Sequence, residues 1–443
     1  LNQTTRTLLI GAAAAGAMAS IFKAPIAAIV FAVEIFSLEL TLASMIPLLL
    51  ASITAVLTSY FFLGDDVLLH FNLEDKFLLS DVTFYVFLGV ASSIASIYFS
   101  KVYFNIGAFF KKIKNPYYKL LIGGSLLGVI VYFIPPLFGE GFTTINSILK
   151  GNVQTVISNN VFNFTTENVW IIISLLIGLI LFKIIASSLT FGAGGVGGVF
   201  APTLFTGSVT GYVFALIVNS SNLFSHHLSH TNFAMVGMAG LMAGVLHAPL
   251  TAIFLIAEIT GGYELFVPLM LVAAISYTIT KYYISHSIYT MKLAQRGELI
   301  THNKDKNALM MLDLDKIIET NFILLYPEMT LGEVVMKAVA KSPRNHFPVI
   351  NENKEFLGIL TINDIRSIMF DKDKYDTVKV ESLMHAGSDI IYYETDNAED
   401  ILNKFKQTGA WNLVVLKDGK YFGFISKSRL LTAYRRKLIN FTQ

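Results

Sequence analysis

Cysteine is absent from the 443-residue chain, and long stretches of it contain no charged residue. Without cysteine the protein forms no disulfide, uses no thiol in catalysis and binds no metal through a thiolate. Residues 184–257 contain no Asp, Glu, Lys or Arg, although the chain as a whole has 33 basic and 31 acidic residues. A soluble domain does not present an uncharged surface over such a length, whereas a lipid bilayer requires apolar segments of this kind.

The charges divide the chain into two parts. Residues 1–300 hold 25 of the Asp, Glu, Lys and Arg side chains, and residues 301–443 hold the other 39. This contrast predicts an integral membrane domain at 1–300 followed by a soluble domain at 301–443. The net charge of +2 gives no indication of a nucleic-acid partner, and none is predicted.

Apolar runs in the first 300 residues are unequal in length. Several are shorter than the ~20 residues that an α-helix needs to cross a bilayer. Short segments interrupted by Gly or Pro at corresponding places in two halves are typical of transporters built from repeats, with a binding site near the bilayer midplane. The runs fall at 6–22, 24–37, 41–63, 83–104, 117–137, 168–190, 199–219, 232–246, 248–259, 264–284 and 286–296.

One apolar phrase occurs twice in the chain. Residues 15–35 and 239–259 match without a gap at ten of 21 positions. The matches include an Ala-Pro pair in the middle of each copy and a glutamate near its end, Glu34 or Glu258. Proline is well tolerated at the first position of a helix and disrupts a helix interior, so each copy predicts a break followed by a short helix.

Lysines indicate the orientation of the membrane domain. A cluster at 111–119 predicts a cytoplasmic loop by the positive-inside rule. The loop 65–81 has five acids and one lysine and lies one span away, which predicts an outside position. Counting back one more span places Glu34 at the inner face, and the tail that follows Arg296 is predicted to be cytoplasmic.

The densest local signal is "FGAGGVGGVFAPTLF", residues 191–205. Its glycines formally match the G-x-G-x-x-G dinucleotide fingerprint, but the next acidic residue is Glu258, far beyond the ~20 positions at which that motif places its acid. No Lys-Ser/Thr follows, which excludes a phosphate-binding P-loop. Close helix packing through glycine is an open alternative.

A helix that starts near Phe200, with Pro202 in its first turn, directs the free amides of Val199 and Phe200 into the glycine loop. Such amides and the positive end of the helix dipole attract an anion. Because no Lys or Arg occurs from 184 to 257, the anion is held weakly and can leave again, as conduction requires. The loop therefore predicts an anion pathway.

The soluble tail contains a repeat of its own. "VINENKEFLGILTINDI" at 349–365 and "VVLKDGKYFGFISKSRL" at 414–430 align at an offset of 65 residues. Each is predicted to form a strand, a turn, a second strand through Gly358 or Gly423, and the start of a helix.

These motifs resemble those of one family, the CLC chloride channels and chloride/proton antiporters. "GAGGVGGVFAP" is similar to the family's GSGGSGGIFAP signature, and the two repeated phrases are similar to its AAAFNAPLAGILFxxE and GxxAxxxxAPLTAIxxxxE segments. "SIYTMKLAQRG" at 287–297 resembles its final helix, whose tyrosine corresponds to Tyr289. The resemblance implies an anion site built from Gly194, Gly195, Gly197, Gly198, Val199, Phe200 and Tyr289.

The implied fold is a membrane all-α inverted-repeat transporter followed by a soluble α+β pair of CBS domains at about 309–371 and 380–437. The family's GSGIP and GREGP motifs, which carry an anion-coordinating serine and a gating glutamate, are not present. The resemblance thus implies that the N-terminal part of the membrane domain is missing. It also implies a homodimer through the helices following Pro25 and Pro249, with Glu34 and Glu258 as structural carboxylates.

In the CBS pair, Thr361 and Asp364 fit the S/T-x-x-D pattern with which such domains hold a ribose. The second copy has Ser426 and Arg429 at these positions and lacks the acid. At most one adenine nucleotide is therefore expected, and a purely structural, dimer-forming tail is the alternative.

The predicted function is chloride transport across a cell (inner) membrane, and the predicted partners are the lipid bilayer and chloride ions. Passive, voltage- or ligand-gated conduction is favoured, because family antiporters have two adjacent acids where this chain has Glu34-Ile35. A proton-coupled antiporter is the alternative. A cation transporter regulated by CBS domains is a more remote alternative, because it would need acidic residues inside the apolar membrane runs. No enzyme activity, catalytic residue, metal ligand or required cofactor is expected. A membrane-embedded metalloprotease regulated by CBS domains would need the motif HExxH on a helix, and this motif is absent from the sequence.

Overall fold

The computed structural model describes residues 3–38, 40–64, 69, 77–159, 165–221, 227–260, 263–295, 309 and 312–442. It divides into two compact units, Leu1–Arg296 and Gly297–Gln443. Most of the predicted outer loop, residues 65–68 and 70–76, lies outside the described residues, as does Arg296.

Helices are the only regular secondary structure among the described residues of the first unit. In the part of the chain that the structure describes, seven helices are long and apolar enough to cross a membrane, and three shorter apolar helices, α2, α10 and α11, lie among them. The helices are α1 Gln3–Phe22, α2 Pro25–Phe36, α3 Leu42–Leu63, α4 Val82–Lys112, α5 Pro116–Phe133, α6 Phe142–Leu149, α7 Val153–Ser158, α8 Val169–Gly192, α9 Phe200–Ser220, α10 His230–Leu246, α11 Pro249–Ile259, α12 Phe266–Tyr283 and α13 Met291–Gln295.

Most predicted apolar runs are helices, with two differences. The run 286–296 is not one continuous helix, because among its described residues only Met291–Gln295 is helical and Tyr289 lies in the turn before it. The short helices α6 and α7 were not predicted, since each is too short for a spanning run and the apolar residues of α6 are separated by pairs of polar ones.

The two copies of the repeated phrase have the same backbone. Lys23 and His247 both adopt the left-handed conformation, with φ of 51° and 56°, and each is followed by a non-helical alanine and a proline at the start of α2 or α11. A left-handed residue ends one helix, and the proline starts the next. The sequence repeat is therefore also a structural repeat.

The paired helices α2 and α11 cap each other. The Glu34 carboxylate near the end of α2 accepts hydrogen bonds from the backbone amides of Leu250 and Thr251 at 3.0 and 2.7 Å, and from the Thr251 hydroxyl. In return, Glu258 accepts from the amides of Ile26 and Ala27 at 3.0 and 2.8 Å. Each carboxylate thus satisfies free amides at the positive end of the other helix. The two glutamates lie at opposite ends of the pair.

Glycine packs helices together inside the unit, but away from the glycine loop. Helices α9 and α10 cross with their backbones in contact: a Cβ at Gly211 would lie 1.9 Å from the Phe233 carbonyl oxygen, and one at Gly207 would lie 2.6 Å from that of Gly237. This is the small-residue packing typical of membrane helices.

The second unit contains two strand–turn–strand–helix repeats, as predicted. Strands β1 and β2 form an antiparallel hairpin; β3 pairs with β4 in parallel, and β4 with β5 antiparallel. Gly358 lies in β2 and Gly423 in β5. The strands are β1 His346–Ile350, β2 Phe356–Thr361, β3 Ile390–Tyr392, β4 Asn412–Lys417 and β5 Lys420–Ser426; the helices are α14 Leu331–Val334, α15 Ile362–Ile365, α16 Ala398–Thr408 and α17 Lys427–Thr442.

Candidate functional site

The first residues of the glycine loop terminate helix α8. Gly194 has φ of 98°, which favours glycine, and its amide donates to the Phe191 carbonyl at 3.2 Å. The Gly195 amide donates to the Thr190 carbonyl at 2.8 Å. These two bonds form a Schellman motif, which satisfies carbonyls that the helix end leaves free. Gly194 and Gly195 therefore serve the end of α8.

The loop ends at the start of α9, which begins at Phe200 as predicted. The Val199 side chain provides no capping hydrogen bond, and Pro202 in the first turn has no amide hydrogen. The first amides of α9 thus have no acceptor from their own cap residue, and they lie at the positive end of a 21-residue helix.

A cavity of about 230 Å³ lies against this helix start. Its residues come from α4, the end of α8, the glycine loop and the turn before α13. Every one of them is uncharged. They are Tyr103, Phe191, Gly197, Gly198, Val199, Ile288 and Tyr289.

Four of the seven predicted anion-site residues line this cavity: Gly197, Gly198, Val199 and Tyr289. The Phe200 side chain packs elsewhere, with ring centres 5.3 Å from Phe22 and 6.1 Å from Phe31. Gly194 and Gly195 lie outside the lining as well. The cavity thus collects the second half of the glycine motif and the tyrosine, from segments about 90 residues apart in sequence.

Sequence reasoning missed three lining residues, Tyr103, Phe191 and Ile288. Tyr103 lies in the C-terminal half of the 31-residue helix α4, whose apolar pattern gives no local indication of a site. Its ring packs against Phe191 at 5.8 Å. Phe191 opens the glycine-rich stretch and Ile288 precedes Tyr289, so proximity to the motifs was the only available signal for those two.

The chemistry of the lining suits a small anion. Its polar groups are backbone amides and two phenol hydroxyls, all of which can donate, while no carboxylate is present to hold a cation. An uncharged donor set holds an anion without trapping it.

The second candidate site is at the start of α15. Asp364 Oδ2 accepts from the amide and the hydroxyl of Thr361, both at 2.7 Å, in a capping box. His385 Nε2 lies 3.3 Å from the same oxygen. The nearby His346 has its pKa lowered by burial, with a further lowering from His385 and an opposing effect from Asp364. The structure brings the two predicted residues together and adds His385, which the sequence did not indicate.

The second repeat carries the opposite charges in the equivalent place. Gly358 in β2 lies against the His385 backbone, and Gly423 in β5 lies against the Glu319 backbone in the same way. The Arg429 guanidinium faces Glu319 at 3.5 Å, where His385 faces Asp364 in the first repeat. The equivalent position therefore offers a guanidinium where the first repeat offers a carboxylate.

Geometry and composition together define the class: an integral membrane protein with an inverted pair of helix repeats, a cavity at a glycine-rich helix start and a C-terminal CBS pair. A model of the voltage gated chloride channel family matches residues 1–281, and a CBS domain model matches residues 314–371. The chain belongs to the voltage gated chloride channel (CLC) family.

Individual relatives agree with this assignment. The chain is 29% identical over 300 residues to a putative chloride channel protein ClcB-like of Ralstonia nicotianae, covering 66% of this chain and 64% of that one. It is 29% identical over 278 residues to the H(+)/Cl(-) exchange transporter ClcA of Vibrio cholerae serotype O1, covering 61% and 55% respectively. The chain thus spans less than two thirds of the length of these relatives.

A solved structure shares the fold. The crystal structure of a slow cyanobacterial Cl-/H+ antiporter matches with a TM-score of 0.56 at 22% identity, covering 67% of this chain and 66% of the other. The predicted fold class is confirmed: a CLC-type membrane fold followed by CBS domains with small β-sheets.

Proposed function

We propose that this chain forms an anion pathway for chloride, with a halide held in the cavity at the start of α9. The observation that carries the proposal is the cavity itself, where uncapped helix amides and Tyr289 meet with no charged side chain. The anion-binding residues would be the amides of Val199 and Phe200, the hydroxyl of Tyr289 and the loop glycines. We also propose that the membrane domain spans residues 1–300 and that the part with the CBS domain pair spans residues 301–443.

The alternative of helix packing through the loop glycines has less support. A Cβ at Gly194 would meet nothing within 4 Å, and one at Gly198 would meet only the Phe200 amide nitrogen at 4.0 Å. The close backbone contacts occur instead at Gly207, Gly211 and Gly237. Packing explains those glycines, and anion access explains Gly198 better.

Bromide tests the halide site directly. Crystals soaked in bromide are expected to show an anomalous peak within hydrogen-bond reach of the Val199 and Phe200 amides and the Tyr289 hydroxyl. Tyr289→Phe removes a donor to a charged group, a change of about 1.5–3 kcal/mol, so halide affinity should fall roughly tenfold or more. Tyr283→Phe, at an exposed tyrosine, is the control. A peak found only elsewhere, or equal affinity in both variants, contradicts the assignment.

Passive conduction is proposed over proton-coupled exchange. Glu34 is engaged by three donors of α11, and the next residue, Ile35, cannot carry a proton. The name of the Vibrio relative favours the exchange alternative instead. Both candidates use the same anion site, and they differ in whether a proton moves with the anion.

A pH gradient separates the two candidates. For the reconstituted protein with equal chloride on both sides, a passive pathway keeps its reversal potential at zero whatever the pH difference. Coupled exchange moves the reversal potential with the proton gradient. A consistent shift would show that Ile35 does not exclude proton coupling and would favour the antiporter.

A homodimer is proposed through the helices that follow Pro25 and Pro249. Ile26 and Leu250, at the starts of α2 and α11, are 46% and 52% exposed, although both are apolar. A second copy or lipid would cover them, and the resemblance to the family favours a second copy. The proposed location is the cell (inner) membrane, with the CBS pair in the cytoplasm.

The CBS pair is proposed to bind at most one adenine nucleotide, through Thr361 and Asp364. The second repeat has Arg429 facing Glu319 in the equivalent place, and this pair offers no free carboxylate for ribose hydroxyls. A tail that only supports dimer formation remains the alternative, and it predicts no nucleotide binding at all.

Calorimetry with ATP or AMP tests this site. Asp364→Asn keeps an oxygen for the capping bond but loses the charge that accepts from ribose, so the dissociation constant is expected to rise about tenfold. Asp376→Ala, at an exposed aspartate of the same repeat, should leave it unchanged. A stoichiometry of two per chain, or equal affinity in both variants, counts against the proposed site.

A further inference from the structure

Lys183 lies in the middle of α8 with only 1% of its surface exposed. Among the described residues it is the only buried lysine or arginine. Its ammonium group donates to the carbonyl oxygens of Leu137 at 3.2 Å and Gly139 at 2.8 Å, and lies 4.7 Å from the centre of the Phe205 ring. All three partners are uncharged. Glu140, in the same turn as Gly139, is exposed.

A buried ammonium group in such surroundings is costly. Two of its three protons have carbonyl acceptors and the third faces the Phe205 ring, an arrangement that stabilises a cation through dipoles and the ring face. No carboxylate oxygen of the described part of the chain lies within salt-bridge distance of it. Ionisable groups inside membrane domains usually serve function, because their burial is unfavourable. Glu140 is close enough for its charge to interact with that of Lys183, but it is exposed to solvent, which weakens the interaction. Much of the positive charge of Lys183 therefore still acts on its apolar surroundings.

The charge lies close to the proposed halide cavity. Phe205 comes five residues after Phe200, which is about 7.5 Å along α9. The ammonium group packed on its ring is thus on the order of 10 Å from the first amides of the helix. Gly141, with φ of 92°, makes room for this arrangement, because a Cβ there would lie 2.5 Å from the Phe205 ring and 3.4 Å from the ammonium nitrogen.

We propose that Lys183 is the fixed positive charge that raises the halide affinity of the cavity at the start of α9. The inference rests on the proposed function, since it assigns an affinity-determining residue to that same site. Lys183 supplies the one element that the cavity lining lacks, a formal positive charge, from a position that the anion does not touch. At about 10 Å and an effective dielectric constant of about 20, a unit charge changes affinity roughly tenfold.

Chloride titration by calorimetry of the detergent-solubilised chain tests the inference. Lys183→Gln keeps an amide donor for the Leu137 and Gly139 carbonyls but removes the charge, so the chloride dissociation constant is expected to rise about tenfold. Lys183→Arg keeps the charge and is expected to restore the affinity. Lys150→Gln, at an exposed lysine, removes the same charge from the end of α6 and should have no effect.

The outcomes separate this inference from the proposed function. If the unmodified chain binds no chloride, the proposed function fails. If it binds chloride and a folded Lys183→Gln variant binds equally well, only the role of Lys183 is overturned. Should the Gln variant not fold, a folded Lys183→Arg variant decides: retained affinity supports the role of the charge, and a tenfold loss despite the retained charge refutes it.

Discussion

Alanine in place of Gly211 is expected to destabilise the membrane unit by about 3 kcal/mol or more, the upper end for overpacking in a core. The added Cβ would lie 1.9 Å from the Phe233 carbonyl oxygen and 2.9 Å from the Ala234 Cα, so α9 and α10 would have to separate. No flexible side chain is available to move aside, because the obstacle is backbone. Separation of these helices would also move the start of α9, where the proposed site lies.

Gly178→Ala is the matched control, because a Cβ at Gly178 in the neighbouring helix α8 meets nothing within 4 Å. Alanine favours a helix over glycine by up to ~1 kcal/mol, so this variant should be at least as stable as the unmodified chain. Thermal unfolding in detergent, followed by circular dichroism, measures both. Equal unfolding temperatures for the two variants would contradict the backbone contact between α9 and α10.

Alanine in place of Glu34 is expected to destabilise the protein by about 3 kcal/mol, because the amides of Leu250 and Thr251 and the Thr251 hydroxyl all lose an ionised acceptor. Those donors are poorly compensated in an apolar surrounding, where water does not replace the carboxylate. Glu258→Ala is expected to have a smaller effect, since Glu258 accepts from two amides only.

Thr251→Val isolates the difference between the two ends. It removes the hydroxyl donor to Glu34, so it makes this end equivalent to the other, where Ala27 has no hydroxyl. The cost of Glu34→Ala in the Thr251→Val background should therefore fall to about that of Glu258→Ala. Glu264→Ala, at an exposed glutamate in the turn before α12, serves as the control. A Glu34 variant as stable as this control would refute the reciprocal caps.

Much of the organisation follows from the sequence because it depends on local chemistry. The scarcity of charge separates a membrane part from a soluble part, since the bilayer excludes formal charge whatever the tertiary arrangement. Pro25 and Pro249 start helices because proline lacks an amide hydrogen and fits the first position. The start of α9 near Phe200 is predicted in a related way, because Pro202 in its first turn has no amide hydrogen that would need an acceptor.

The candidate site is only partly predictable. The sequence identified the glycine loop and Tyr289, but it could not divide the glycines between two tasks. Gly194 and Gly195 end α8 through bonds to Phe191 and Thr190, whereas Gly197 and Gly198 reach the cavity. The division depends on where the preceding helix frays and turns, and propensity locates such ends only to within a residue or two.

By itself, then, the sequence determined the membrane and soluble parts, the repeated helix breaks, the position of the glycine loop and the strand–turn–strand–helix repeats of the tail. These depend on charge, on proline and on periodicity, which act between residues close in the chain. The tertiary structure decided that Glu34 and Glu258 cap each other's helices, that Tyr103 lines the cavity and that Lys183 lies under α9. Each of these contacts joins segments far apart in sequence, and only the packing of whole helices determines which of many apolar faces meet.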